Sequence, residues 1–133
     1  MREIKFRGWF QGVNGQEYWA YGYLVKQTNG NWEITNGETS WTVDNVGQFT
    51  GVKDKNGVEI YEGDIVRKPL FGDTIIIWNE SISGFQYAYH AMGKGTSIGG
   101  RVTNTLYSHE SDKYEVVGNI YEPGQKNEAK PLL

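Results

Sequence analysis

Gln48-Phe49-Thr50-Gly51-Val52-Lys53-Asp54-Lys55-Asn56-Gly57-Val58-Glu59-Ile60-Tyr61-Glu62-Gly63-Asp64-Ile65-Val66 carries strand and turn signals in unbroken succession. Residues 49–52 and 58–61 are short runs rich in β-branched and aromatic side chains, which suit a pleated surface. Asn56-Gly57 lies between them and predicts a hairpin, because both residue types tolerate the left-handed backbone of a tight turn. Glu62-Gly63-Asp64 predicts a second turn, with Asp64 bonding nearby backbone amides. A further strand over 65–68 follows, and Pro69 ends it or confines it to a sheet edge. Gly51, Asp54, Asn56, Gly57, Gly63 and Asp64 are therefore read as devices that shape the backbone, and Gly118 near the end of the chain is grouped with them.

The same grammar extends in both directions. Upstream, residues 4–9 alternate, with Ile4 and Phe6 on one face and Lys5 and Arg7 on the other. Residues 17–26 place Tyr18 and Leu24 on one side and Trp19, Tyr21, Tyr23 and Val25 opposite. Such a strand is either buried on both sides or presents an aromatic face. Asn29-Gly30-Asn31 predicts a hairpin into residues 32–35, Asn36-Gly37 another turn, and 40–43 a short strand, with a short helix over 40–46 as the alternative. Downstream, the apolar run within 74–78 suits a strand buried on both faces. Residues 85–89 alternate, 102–107 hold one strand within the Gly-interrupted region 91–112, and 114–121 form the closing strand. Strand signals about every ten residues predict an all-β protein: a barrel-like, strongly curved antiparallel sheet with few or no short helices.

Composition agrees. The chain has 133 residues, which fits one domain, and it is 14 % aromatic with 18 Gly, the mix of a turn-rich β protein. It contains no cysteine, which excludes disulfides, thiolate metal sites and a cysteine nucleophile. The N-terminal alternation of charged and apolar residues differs from a secretory signal, and the longest apolar run is too short to span a bilayer. The expectation is a protein of the cytoplasm that engages no membrane. The formal charge of −3, with both signs mixed along the chain, argues against a dedicated polyanion binder.

The stretch 48–66, the opening Arg2-Glu3-Ile4-Lys5-Phe6-Arg7-Gly8-Trp9 and the closing Tyr114-Glu115-Val116-Val117-Gly118-Asn119-Ile120-Tyr121-Glu122 together resemble the YopX family. The resemblance covers residues 1–123 as one domain and leaves 124–133 as a polar tail. It implies a β-rich, barrel-like protein of phages and prophages, and it brings no established activity, cofactor or catalytic residue. Residues 10–47 and 80–113 match no family pattern, so a specialised role is expected there.

Several constellations invite chemistry. Asp54, Glu59, Glu62 and Asp64 could hold a divalent cation and support a hydrolase, but their spacing matches no calcium loop, and no metal site is expected. His90 and His109 are too few and too far apart for zinc, and a triad with Ser108 or Ser111 lacks a nucleophile motif. Gly93-Lys94-Gly95 lacks the remaining elements of a phosphate loop. Trp19, Tyr21, Tyr23 and Trp32, with Lys26, Arg67, Lys68 and Arg101, form an aromatic and basic set of the kind that binds single-stranded nucleic acid. Against this stands the expectation that most of these aromatics are buried. The leading reading is a non-catalytic accessory module that needs no cofactor and binds a host or phage macromolecule, a protein ahead of a nucleic acid. Self-association is a further expectation, because so many aromatics exceed what one small core holds.

Overall fold

The computed structural model describes residues 3–90 and 101–121. Among them are ten strands and a single six-residue 3-10 helix. The strands are β1 (Phe6–Gln11), β2 (Glu17–Lys26), β3 (Trp32–Thr35), β4 (Ser40–Lys53), β5 (Glu59–Tyr61), β6 (Asp64–Lys68), β7 (Gly72–Asn79), β8 (Gly84–His90), β9 (Arg101–Thr105) and β10 (Glu115–Asn119), with the helix Ser108–Lys113 before the last. The protein is all-β. Its strands are arranged as two antiparallel sheets, and the chain divides into two compact units, Met1–Gly51 and Val52–Leu133. The polar tail expected over 124–133 and the Gly-Lys-Gly segment at 93–95 lie outside the described residues.

In the first unit β1 pairs β2, β2 pairs β3, β3 pairs β4, and β4 returns to pair β1. Alternation decides what faces inward. Ala20, Ile34 and Val43 are buried, with Phe6, Phe10, Leu24, Trp41 and Val46 packed against them. Two irregularities bend the strands enough to bring the ends of the order together. Gly22 sits in the middle of β2 at a φ of 153°, where an added Cβ would overlap the Thr35 carbonyl oxygen. Opposite Gly8 the β1–β4 register slips between Arg7 and Trp9, a bulge in which Asn45 takes a φ of 53°. The short strand or helix expected near residues 40–46 is thus the first half of a 14-residue strand.

The second unit holds a sheet of order β10-β6-β7-β8-β9. Val52, Ile60, Val66, Ile76, Tyr87, Leu106 and Tyr114 form its core. Burying an Ile such as Ile60 or Ile76 contributes about 2–3 kcal/mol each. β7 departs from expectation. Thr74 and Ile76 are buried, but Ile75 and Ile77 are half-buried and Trp78 is exposed, so this strand has one core face rather than two. The apolar run reflects β-branched propensity on a partly covered surface.

The hairpin between β4 and β5 is built around Asp54, which is buried. Its amide donates to the Val58 carbonyl at 2.8 Å and its carbonyl accepts from the Gly57 amide at 3.0 Å. This is a three-residue loop in which Gly57 is left-handed, with a φ of 82°. Asn56, whose residue type tolerates that conformation, does not adopt it. The Asp54 carboxylate then accepts three backbone amides: Asn56 and Val58 on Oδ1, at 2.8 and 2.9 Å, and Val116 on Oδ2 at 2.9 Å. In the next turn Asp64 Oδ2 accepts the Tyr61 amide at 2.7 Å, and Gly63 is left-handed. β6 ends at Lys68, directly before Pro69. Gly118 lies at the slip in register between β10 and β6.

Removing a charged acceptor of several backbone amides costs more than a single neutral hydrogen bond, because each amide is left without its partner. Asp54→Ala is expected to lower unfolding free energy by about 3 kcal/mol or more, and Asp54→Asn, which keeps one carbonyl oxygen, by less. Urea denaturation followed by tryptophan fluorescence measures both.

Candidate functional site

The aromatic strand β2 decides where a binding surface can form. Tyr21, Tyr23 and Val25 point away from the Ala20–Ile34–Val43 cluster, with exposures of 47, 65 and 42 %. The core assignment expected for most aromatics does not describe these two tyrosines. Their cross-strand neighbours are Arg7 opposite Tyr21, Thr35 opposite Tyr23 and Glu33 opposite Val25. Thr35 and Glu33 in turn face Ser40 and Thr42 of β4. Trp19 lies on the same face but is half-buried. Its ring meets Trp9 edge-on at 4.6 Å between centroids, and the Arg7 guanidinium sits 4.3 Å from it. Arg7 and Trp9 are buried, so the strip reaching solvent is Tyr21-Tyr23-Val25, flanked by hydroxyls and one carboxylate.

The remaining members of the aromatic and basic set do not join this strip. Lys26 and Trp32 face each other across β2 and β3 on the opposite face, with the ammonium 5.1 Å from the indole. Arg67 is exposed and pairs with Asp73 at 2.9 Å, and the hydrogen bond to that carboxylate pushes the guanidinium pKa further up. Lys68 points the other way and is buried. Its Nζ lies 5.2, 5.4 and 5.8 Å from the rings of Phe71, Tyr87 and Tyr114, an aromatic box for an internal cation. Arg101 opens β9, and its side chain lies outside the described residues, as does that of His90. The strip and the internal box are thus separate features, and sequence reasoning had not foreseen the box.

The carboxylates of the central hairpin are committed elsewhere. Asp54 and Asp64 bind backbone amides, and Glu59 accepts the Tyr61 hydroxyl at 3.0 Å. Among the described residues no group of three or more His, Cys, Asp or Glu side chains is close enough to hold a metal ion. His109 stands exposed on the 3-10 helix with its ring 5.0 Å from Tyr107. No helix of the described residues is long and apolar enough to cross a membrane.

Beside the box, the Tyr114 hydroxyl accepts the Tyr107 amide at 3.2 Å and donates to Glu110 Oε1 at 3.3 Å. Burial pushes the Tyr114 phenol well above its ordinary value of 10.0, and it pushes Tyr87 upward as well.

Among the described residues, ten antiparallel strands, a backbone-shaping acidic hairpin and an exposed tyrosine strip characterise an all-β protein. The chain belongs to the YopX family: the family model described as YopX protein matches residues 5–125. No curated protein matches the chain.

The sign of the Tyr114 effect follows from its neutral buried form. In the unfolded chain the phenol ionises near 10.0, whereas in the folded protein it holds its proton to higher pH. Above that value the native state binds more protons, so stability falls as pH rises. Thermal melts from neutral to strongly alkaline pH are expected to show this decline. In Tyr114→Phe the slope is shallower, and the neutral-pH stability is lower by about 1 kcal/mol for the lost hydrogen bonds.

Proposed function

We propose that this YopX-family chain is a non-catalytic accessory protein, of the phage or prophage kind the sequence resemblance implies. In this reading it acts in the cytoplasm of a bacterial host and binds a host or phage protein through the outer face of β2. The observation carrying the proposal is the exposure of Tyr23 and Val25 beside Tyr21, on a strand whose other face supplies the core. Tyrosine combines a large apolar area with a polar tip and few rotatable bonds, which suits it to protein interfaces.

The surroundings of the strip favour a protein over a nucleic acid. A single-strand binder needs aromatic platforms alongside a basic groove that follows the phosphates. Here the neighbours are Glu33, Thr35, Ser40 and Thr42, and the cation on this face, Arg7, is buried. Lys26 occupies the other face, Arg67 is paired with Asp73, and Lys68 is enclosed by rings.

A photo-crosslinking amino acid placed at Tyr23 in the full chain is expected to trap a protein in host cells, whereas the same group at exposed Val13 traps none. Tyr23→Ser with Val25→Ser is expected to abolish that adduct while costing the fold no more than about 1 kcal/mol. Salt-sensitive gel shifts with single-stranded DNA or RNA that vanish in the double variant would overturn the proposal in favour of nucleic-acid binding. Equal cross-linking at Val13 and Tyr23 would remove the strip as the contact surface.

A further inference from the structure

Four Asn-Gly steps lie in exposed turns: Asn14-Gly15, Asn29-Gly30, Asn36-Gly37 and Asn56-Gly57. Three of them share one backbone arrangement. Gly12 N donates to Gln16 O and Gly15 N to Gly12 O, at 2.7 and 3.0 Å. Gln27 N donates to Asn31 O and Gly30 N to Gln27 O, at 2.8 and 2.9 Å, and the Asp54–Val58 loop repeats the pattern at 2.8 and 3.0 Å. The glycines in these loops have φ values of 84, 93 and 82°. Whatever the backbone does to the reactivity of the Asn-Gly step, it does alike in all three.

The side chains differ. Asn14 Oδ1 accepts the Gln16 amide at 3.0 Å, and its Nδ2 donates to Gln16 Oε1 at 3.1 Å. Asn29 Oδ1 accepts the Asn31 amide at 2.9 Å. In the fourth turn Asn36 Oδ1 accepts the amides of Glu38 and Thr39, at 2.9 and 2.8 Å. The amide that Asn56 would hold in the same way is that of Val58, and Asp54 Oδ1 already accepts it. Among the described residues the Asn56 carboxamide has no hydrogen-bond partner.

We propose that Asn56-Gly57 is the preferred site of spontaneous deamidation in the folded protein, and that its conversion loosens the hold of Asp54 on β10. The Gly57 nitrogen attacks Asn56 Cγ, a C–N bond forms, the Cγ–Nδ2 bond breaks, and ammonia leaves with the Gly57 proton. Water then opens the cyclic imide at either carbonyl, yielding aspartate or isoaspartate. Asn14, Asn29 and Asn36 have to release a backbone amide before Cγ can reach the glycine nitrogen, whereas Asn56 is free to turn. The Gly57 amide has to leave the Asp54 carbonyl, a cost its counterparts Gly15 and Gly30 share.

The consequence follows from connectivity. Isoaspartate routes the main chain through Cβ and inserts one carbon between the amides of residues 56 and 58. Both amides converge on the same oxygen of Asp54. With a longer path between them they no longer fit one acceptor, the carboxylate reorients, and its other oxygen leaves the Val116 amide. A reaction at an exposed turn is thereby passed to a strand 62 residues away in sequence.

The test ages the full chain in warm, mildly alkaline buffer, with and without concentrated urea, and follows all four sites by peptide-mapping mass spectrometry. In native buffer Asn56 is expected to convert several-fold faster than Asn14, Asn29 and Asn36, and in urea the four rates converge. Hydrogen exchange of the Val116 amide is expected to accelerate in step with isoaspartate at position 56. Asn56→Gln aged in parallel keeps its protection. A native rate at Asn56 no faster than the others, or an ordering that persists in urea, overturns the assignment of the site. Unchanged Val116 protection after full conversion overturns the coupling.

Discussion

One carboxylate, that of Asp54, organises the second unit. It gathers two amides from the hairpin that contains it and a third from β10, so a local turn and a distant strand share a single acceptor. A buried acid is tolerated only when its charge is satisfied, and backbone amides satisfy it without a second charged side chain. Tyr114 seals the neighbouring core, and its carbonyl accepts the Lys55 amide at 3.0 Å, a second tie between the same hairpin and the approach to β10. Within the stretch 48–66, Asp54 and Asp64 thus shape the polypeptide by accepting backbone amides.

The first unit works by a different logic. Ala20, Ile34 and Val43 make a small core. Aromatic side chains fall on both faces of β2 because the inner face has room for few of them. Those left outside, Tyr21 and Tyr23, are the basis of the proposed contact surface. Trp9 and Trp19 show the alternative fate of an outward ring, one buried and the other half-covered by its neighbours.

Much of the fold could be read from residue order. The Asn-Gly steps and the alternation in β1, β2 and β8 located hairpins and strands, and Pro69 marked the end of β6. What escaped was set by non-local contacts. Nothing near residues 40–53 announces a single long strand, since its two halves pair with different partners, β3 and β1. Lys68 looked like surface charge beside Arg67. Its parity with buried Val66 was the available clue that it points inward, but no local rule supplies the three rings from β8, the loop after β6 and the residue before β10. For the candidate surface, residue type placed Tyr21 and Tyr23 in one set with Trp19 and Trp32. Alternation along β2 already set Trp19, Tyr21, Tyr23 and Val25 on one face; which side chains of β1 and β3 lie beside them depended on cross-strand register, which sequence alone does not give.

The pairing of β4 with both β3 and β1 has a bearing on association. β3 is paired on both sides along its length and β1 along most of it, so neither presents an open row of amides and carbonyls to a foreign strand, whereas β2 and β4 divide their lengths between two partners. Recruitment of another chain by strand addition, and the fibrillar stacking that grows from unprotected borders, are thereby disfavoured at β1 and β3.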